Sequence, residues 1–139
     1  MALSATEKLH RKKNEKIARL ESDFAGMKAG QLMFVATPLI VDKYIRSIPE
    51  GSYRTVPGMR NELARRHKCD VACPVSTAIF VRMSAEAAIE QMEEGRSAEE
   101  VSPFWRILRP TDKIAKKLPI DPEWIKTRRL MEGIATHMD

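Results

Sequence analysis

Twenty residues lie between Pro74 and Gly95 with no further proline or glycine among them. Proline suits the first position of a helix, and glycine suits the position just past its end. The spacing therefore predicts a helix over 74–94. Its first half is apolar almost all round, through Val75, Ala78, Ile79, Phe80, Val81 and Met83. A helix without a polar side has to be enclosed by other elements. Its second half is amphipathic, with Ala85, Ala88, Ile89 and Met92 on one side and Glu86, Glu90 and Glu93 on the other. The first half is therefore expected to be well buried.

Before it, Ser4 and Glu7 have capping-box spacing. Ile17, Leu20, Phe24 and Met27 recur at three- and four-residue steps. This predicts an N-terminal helix over 4–28, closed by Gly30. Its stripe would dock on the body or join a second copy. Lys8, Arg11, Lys12, Lys13 and Lys16 form a basic face that could touch phosphate but reads better as solvated. Residues 1–30 are taken as a helical arm and 31–139 as the main domain. A short strand is expected over 31–36. Thr37-Pro38 then opens a second helix with Leu39, Ile40, Tyr44 and Ile48 inward. Pro49-Glu50-Gly51 is a turn, and 52–56 reads as a strand. A third helix over 57–68 turns Met59, Leu63 and Ala64 inward and Arg60, Arg65, Arg66 and Lys68 outward. After the long helix, strands are expected over 104–108 and 113–118, joined by Pro110-Thr111-Asp112. Asp121-Pro122 opens a last helix, ended by Gly133. The order is that of an α/β, mostly helical winged helix-turn-helix with an extra N-terminal helix.

The 139 residues suit one domain with an arm; 43% are hydrophobic, enough for a core. No apolar run approaches the roughly 20 residues that span a bilayer. No apolar leader core follows Met1-Ala2-Leu3-Ser4, so the expected compartment is the cytoplasm. Cys69 and Cys73 make no disulfide framework. With only His67 nearby they fall short of the four soft ligands a structural zinc needs. Neither a metal nor an organic cofactor is indicated. Net charge is +5. Residues 86–100 hold six glutamates and one arginine, a local −5, which leaves +10 on the rest. A basic body with one acidic side orients on a polyanion.

Two segments carry a family resemblance. Ile48-Pro49-Glu50-Gly51-Ser52-Tyr53-Arg54-Thr55-Val56 and Ser102-Pro103-Phe104-Trp105-Arg106-Ile107-Leu108 resemble the two ends of the DNA-binding domain of alkylguanine-DNA alkyltransferases. The resemblance covers roughly residues 37–133. That family often reads Ile-Pro-x-Gly-x-x-Thr-Thr-Tyr in the first segment, and its tyrosine is Val56 here. In the second, the family's Pro-Cys-His-Arg-Val carries the reactive thiol. Pro103 and Arg106 match, but Phe104 stands at the cysteine and Trp105 at the histidine. Neither ring accepts an alkyl group as a thiolate does. The arginine finger of the family's recognition helix has no counterpart at the start of Cys73-Pro74-Val75-Ser76-Thr77. Glu132-Gly133 resembles the family's closing Glu-Gly, whose glutamate belongs to the chain from histidine to thiol. The chain is similar to the alkyltransferase-like proteins, cysteine-less relatives that bind alkylated DNA.

The resemblance implies duplex DNA as partner and no catalysis. Candidate phosphate contacts are Arg54, Thr55, Ser76, Thr77, Arg106, Arg109 and Lys113. Arg60, Arg65 and Arg66 add to the basic field, and Lys116 and Lys117 lie on the expected wing. Phe104 and Trp105 form either a base-stacking pocket or part of the core. Two other classes compete. Cys73 at a helix N-terminus, with His67 as base, would be a thiol nucleophile. A protein-interaction module would use the acidic helix face and the N-terminal arm.

Overall fold

The computed structural model describes residues 3–134; of the body read as 31–139, the last five lie outside the described residues. The chain is mostly helical with a small three-stranded sheet. In order, its elements are α1 (Ala5–His10), β1 (Lys16–Arg19), β2 (Leu32–Val35), α2 (Pro38–Arg46), α3 (Val56–Arg66), β3 (Val71–Ala72), α4 (Pro74–Glu93), α5 (Lys113–Lys116) and α6 (Pro122–Met131). Single 3-10 turns occupy Ala98–Glu100 and Phe104–Arg106. No described helix is long and apolar enough to cross a membrane.

The helix starts follow the caps. Thr37 accepts from the Ile40 amide at 3.2 Å, and Thr55 from the Gly58 amide at 3.0 Å. A Cβ on Gly58 would lie 2.9 Å from Thr55 Oγ1, so the cap needs glycine there. Helix α4 is the centre: α1, α2, α3, α5 and the 104–106 turn all pack on it. Phe80, Val81, Ala85, Ala88 and Ile89 are buried, as expected. Val75 and Ile79, one turn apart, are half exposed (48% and 53%), so the enclosure is incomplete on that side.

The 4–28 helix does not form. The capping box holds α1, with Ser4 Oγ accepting from Glu7 and Glu7 accepting from the Ser4 amide. After His10 the chain becomes extended. β1 pairs antiparallel with β2, Lys16 opposite Val35 and Arg19 opposite Leu32. Phe24 and Met27 then exchange both backbone hydrogen bonds across Ala25-Gly26, each at positive φ (50° and 86°), a two-residue hairpin turn. The apparent helical stripe was misleading. Ile17 and Phe24 are half exposed, and Met27 alone of the four is fully buried.

Residues 71–72, between α3 and α4, supply β3, which pairs parallel to β2 through Met33–Val71 and Phe34–Ala72. The β-wing is also absent. Residues 104–108 form a helical turn, with the Leu108 amide bonded to the Phe104 carbonyl at 2.9 Å. Phe104, Trp105, Ile107 and Leu108 are all buried. A strand would have turned half of them outward, whereas a helical turn buries all four. Ile114, Ala115 and Leu118 likewise follow helical spacing, and α5 replaces the second strand. Residues 52–56 form no strand, because Thr55 caps α3 and Val56 is already helical.

A polar knot fastens α2 to α4. The carboxylate of Asp42, 6% exposed, accepts from Ser84 at 2.6 Å, Ser102 at 2.7 Å and Arg46 at 2.9 Å. The Tyr44 hydroxyl donates to Glu62 on α3, and burial together with that carboxylate pushes its pKa up to about 12. Asp42→Ala strands two buried hydroxyls. It is expected to lower unfolding free energy in urea by about 3 kcal/mol. Ser102→Ala, which removes one donor, is expected to lower it by about 1 kcal/mol.

Candidate functional site

A cleft of about 390 Å³ opens where the 54–57 segment faces the 107–114 segment. One wall is Arg54, Thr55 and the first residues of α3, Val56 and Pro57; the other includes Ile107, Leu108, Arg109 and Lys113. The walls are tied by one backbone bond, the Arg54 amide to the Arg106 carbonyl at 2.9 Å. Arg129 of α6 reaches the cleft from inside, 1% exposed, donating to the carbonyls of Trp105 (2.8 Å) and Leu108 (3.3 Å). Four cations and a single carboxylate, Asp112, line a mainly aliphatic surface. Asp112 pairs with Arg109 at 2.7 Å. Arg54 and Lys113 are exposed at the mouth, where Arg54 donates to the Tyr53 carbonyl at 2.8 Å. The positive end of the α3 dipole lies on the same wall. The arrangement suits an anionic group held at the rim of an apolar surface.

Four of the seven candidate phosphate contacts, Arg54, Thr55, Arg109 and Lys113, therefore come together. The other three do not line the cleft. Arg106 is fully engaged: Nε and one terminal nitrogen donate to Glu132 at 2.9 and 3.0 Å, and the other donates to the Ile48 carbonyl at 2.8 Å. Thr77 is 1% exposed and its hydroxyl donates back to the Cys73 carbonyl at 2.6 Å. The Ser76 hydroxyl oxygen is buried within the fold, out of reach of a phosphate.

The stacking-pocket reading of Phe104 and Trp105 is overturned. Both are sealed in the core at 0% and 1% exposure, in a three-ring cluster with Trp124 at centroid distances of 5.4 to 5.6 Å. A ring with no open face offers nothing for a base to stack on. Cys73 is 7% exposed at the start of α4. His67 stacks on Phe34 at 3.8 Å and turns Nδ1 to Glu15 at 3.4 Å. For Cys69, burial and then Asp70 push the thiol pKa up. Among the described residues no group of three or more His, Cys, Asp or Glu is placed to hold a metal ion.

The sequence pointed to Glu132 but not to its work. Its side chain, 5% exposed, accepts from Trp105 Nε1 (2.8 Å), from Arg106 and from the Gly51 amide (3.1 Å). Gly51 has φ +82°, a left-handed conformation that favours glycine, beside the Glu132 backbone. Burial pushes the Glu132 carboxyl up, but the hydrogen bonds from Arg106, Trp105 and Gly51 outweigh it and hold the pKa below the ordinary carboxylate range. Arg129 was overlooked altogether. Its four-residue spacing from the buried Ile125 was the available signal.

Comparison with protein-family models, with curated proteins and with solved structures finds no match to this chain.

Glu132→Gln is expected to cost roughly 2–3 kcal/mol at neutral pH, measured by chemical denaturation. A depressed folded pKa contributes stability that is complete above the unfolded value of about 4.3 and fades as pH drops through the folded one. The gap between wild type and Glu132→Gln is therefore expected to narrow below about pH 4.

Proposed function

We propose that the protein binds duplex DNA without catalysis, in DNA repair or damage recognition, and contacts phosphates at the cleft in front of α3. The observation that carries this reading is the convergence of Arg54, Thr55, Arg109 and Lys113 on one opening, from segments more than fifty residues apart. Exposed cations at its mouth match the charge-driven contacts that dominate DNA affinity. In this reading α3 and α4 are the helix-turn-helix pair, and the 104–116 segment stands where a wing would be. The resemblance to the alkyltransferase-like proteins supports the same reading. Phenyl and indole rings at the acceptor and relay positions, packed as core, fit a role without alkyl transfer. A cytoplasmic location belongs to the proposal.

A second reading, a protein-interaction module that has lost lesion binding, is favoured by one observation. Val75 and Ile79 expose an aliphatic pair on the helix that should face the duplex. Isolated apolar residues are common on surfaces, so the pair weighs less than the cleft.

Titration of plain and alkylated duplexes across a salt series separates the two. DNA binding predicts that log affinity falls linearly with log salt. Arg54→Ala with Lys113→Ala is expected to flatten that slope by nearly 2. Absence of binding at low salt, or binding indifferent to salt, favours the protein-partner reading. No label is expected to pass from alkylated guanine to Cys73, and transfer would establish the thiol chemistry instead.

A further inference from the structure

Between α1 and the end of β1, residues 11–19 are all exposed. They carry Arg11, Lys12, Lys13, Lys16 and Arg19 against one carboxylate, Glu15, and Glu15 is turned to His67. Among the described residues none of the five cations makes an ion pair. A surface needed only for solubility mixes both signs. Here the signs are sorted along α4. Glu90 meets the start of α1, and Lys13 lies over the Phe80 ring at 5.6 Å, so the cations begin beyond the glutamates.

The row is also ordered. Leu9, 1% exposed, anchors one end. The β1–β2 ladder holds the other, where Arg19 donates to the Gly30 carbonyl at 2.6 Å. An extended chain rises about 3.3 Å per residue, so the five cations are spread over up to about 26 Å. Like charges held in a fixed line repel one another, and that repulsion is relieved by a partner whose negative charges repeat along its length. A duplex, with a phosphate charge every ~1.7 Å of axis, is such a partner. The run also lies at the far end of α3 from the cleft. Val56 lines the cleft, while His67, just past the last turn, faces Glu15. The eleven residues of α3 span about 16 Å, or about five base steps at 3.4 Å.

We propose that the ordered basic run, residues 11–19, is a second duplex-contacting surface, engaging phosphates beyond those at the cleft. This rests on the DNA-binding reading above and adds a surface to it. Contact is through charge rather than shape, so the run would extend the footprint without reading sequence.

The test uses the full chain and a 25-base-pair duplex, with binding measured across a salt series. Three proteins are compared: wild type, the run variant Arg11→Ala/Lys12→Ala/Lys13→Ala/Lys16→Ala, and the cleft variant Arg54→Ala/Lys113→Ala. The run variant is expected to flatten the slope of log affinity against log salt by about 3 to 4 and to weaken low-salt binding at least tenfold. A Lys12→Arg/Lys13→Arg/Lys16→Arg variant is expected to keep the wild-type slope, and an unchanged thermal melt shows that the fold is intact. If wild type binds but the run variant keeps its slope, the run is merely solvated and the DNA reading stands. If the run variant loses slope while the cleft variant does not, the run stands and the cleft assignment falls. If wild type binds no duplex, both fall. Binding of the run to anionic phospholipid vesicles in place of duplex likewise overturns the inference.

Discussion

The carboxylate of Glu132 is the junction on which the cleft depends. It accepts hydrogen bonds from the Gly51 amide, the Trp105 indole and the Arg106 guanidinium, three groups from two loops, and Arg128 of α6 adds an ion-pair contact at 4.0 Å. Arg106 passes the connection on to Ile48 at the end of α2, and its own carbonyl receives the Arg54 amide. Each wall of the cleft is thereby one or two bonds from the same carboxylate. A buried charge with several good donors is stable, whereas the same charge with a donor missing is costly. The loops are consequently held together as a set.

Around that junction the rings set the shape. Phe104, Trp105 and Trp124 fill the space between α4 and α6, and the guanidiniums of Arg106 and Arg128 lie over the Trp105 ring at 5.5 and 5.1 Å. Large rigid rings bury much area at little entropic cost. They turn the Pro103–Leu108 segment into a packing element and leave the rim of the cleft to aliphatic and cationic side chains. Whatever the rim binds, it meets no nucleophile at residue 104.

The helix starts and the long helix were legible because their signals are local. Thr37-Pro38, Pro57, Pro74 and Asp121-Pro122 each fix a cap or a φ angle without help from elsewhere, whereas the Thr55 cap was read as strand. Of the sheet only β2 was legible, from the short apolar run expected as a strand over 31–36. β1 carries no buried residue, β3 is two residues long, and the hairpin turn uses Ala25 where asparagine or glycine is the usual sign. Lys68 takes the left-handed position after α3 at φ 57° with no glycine to announce it. The wing was misread because a short apolar run has no decisive period until its burial is known. Within the site, Arg54 and Lys113 were recoverable from charge. Arg106 was not, because its partner lies twenty-six residues away.

One contact orders events in time. Glu90 accepts from the amides of Ala5 and Thr6 at 2.9 and 3.0 Å, so the opening turn of α1 is capped from across the molecule. Six residues are too few to hold a helix alone in water. The first turn of α1 is therefore held only once α4, some eighty-five residues further along the chain, is in place beside it.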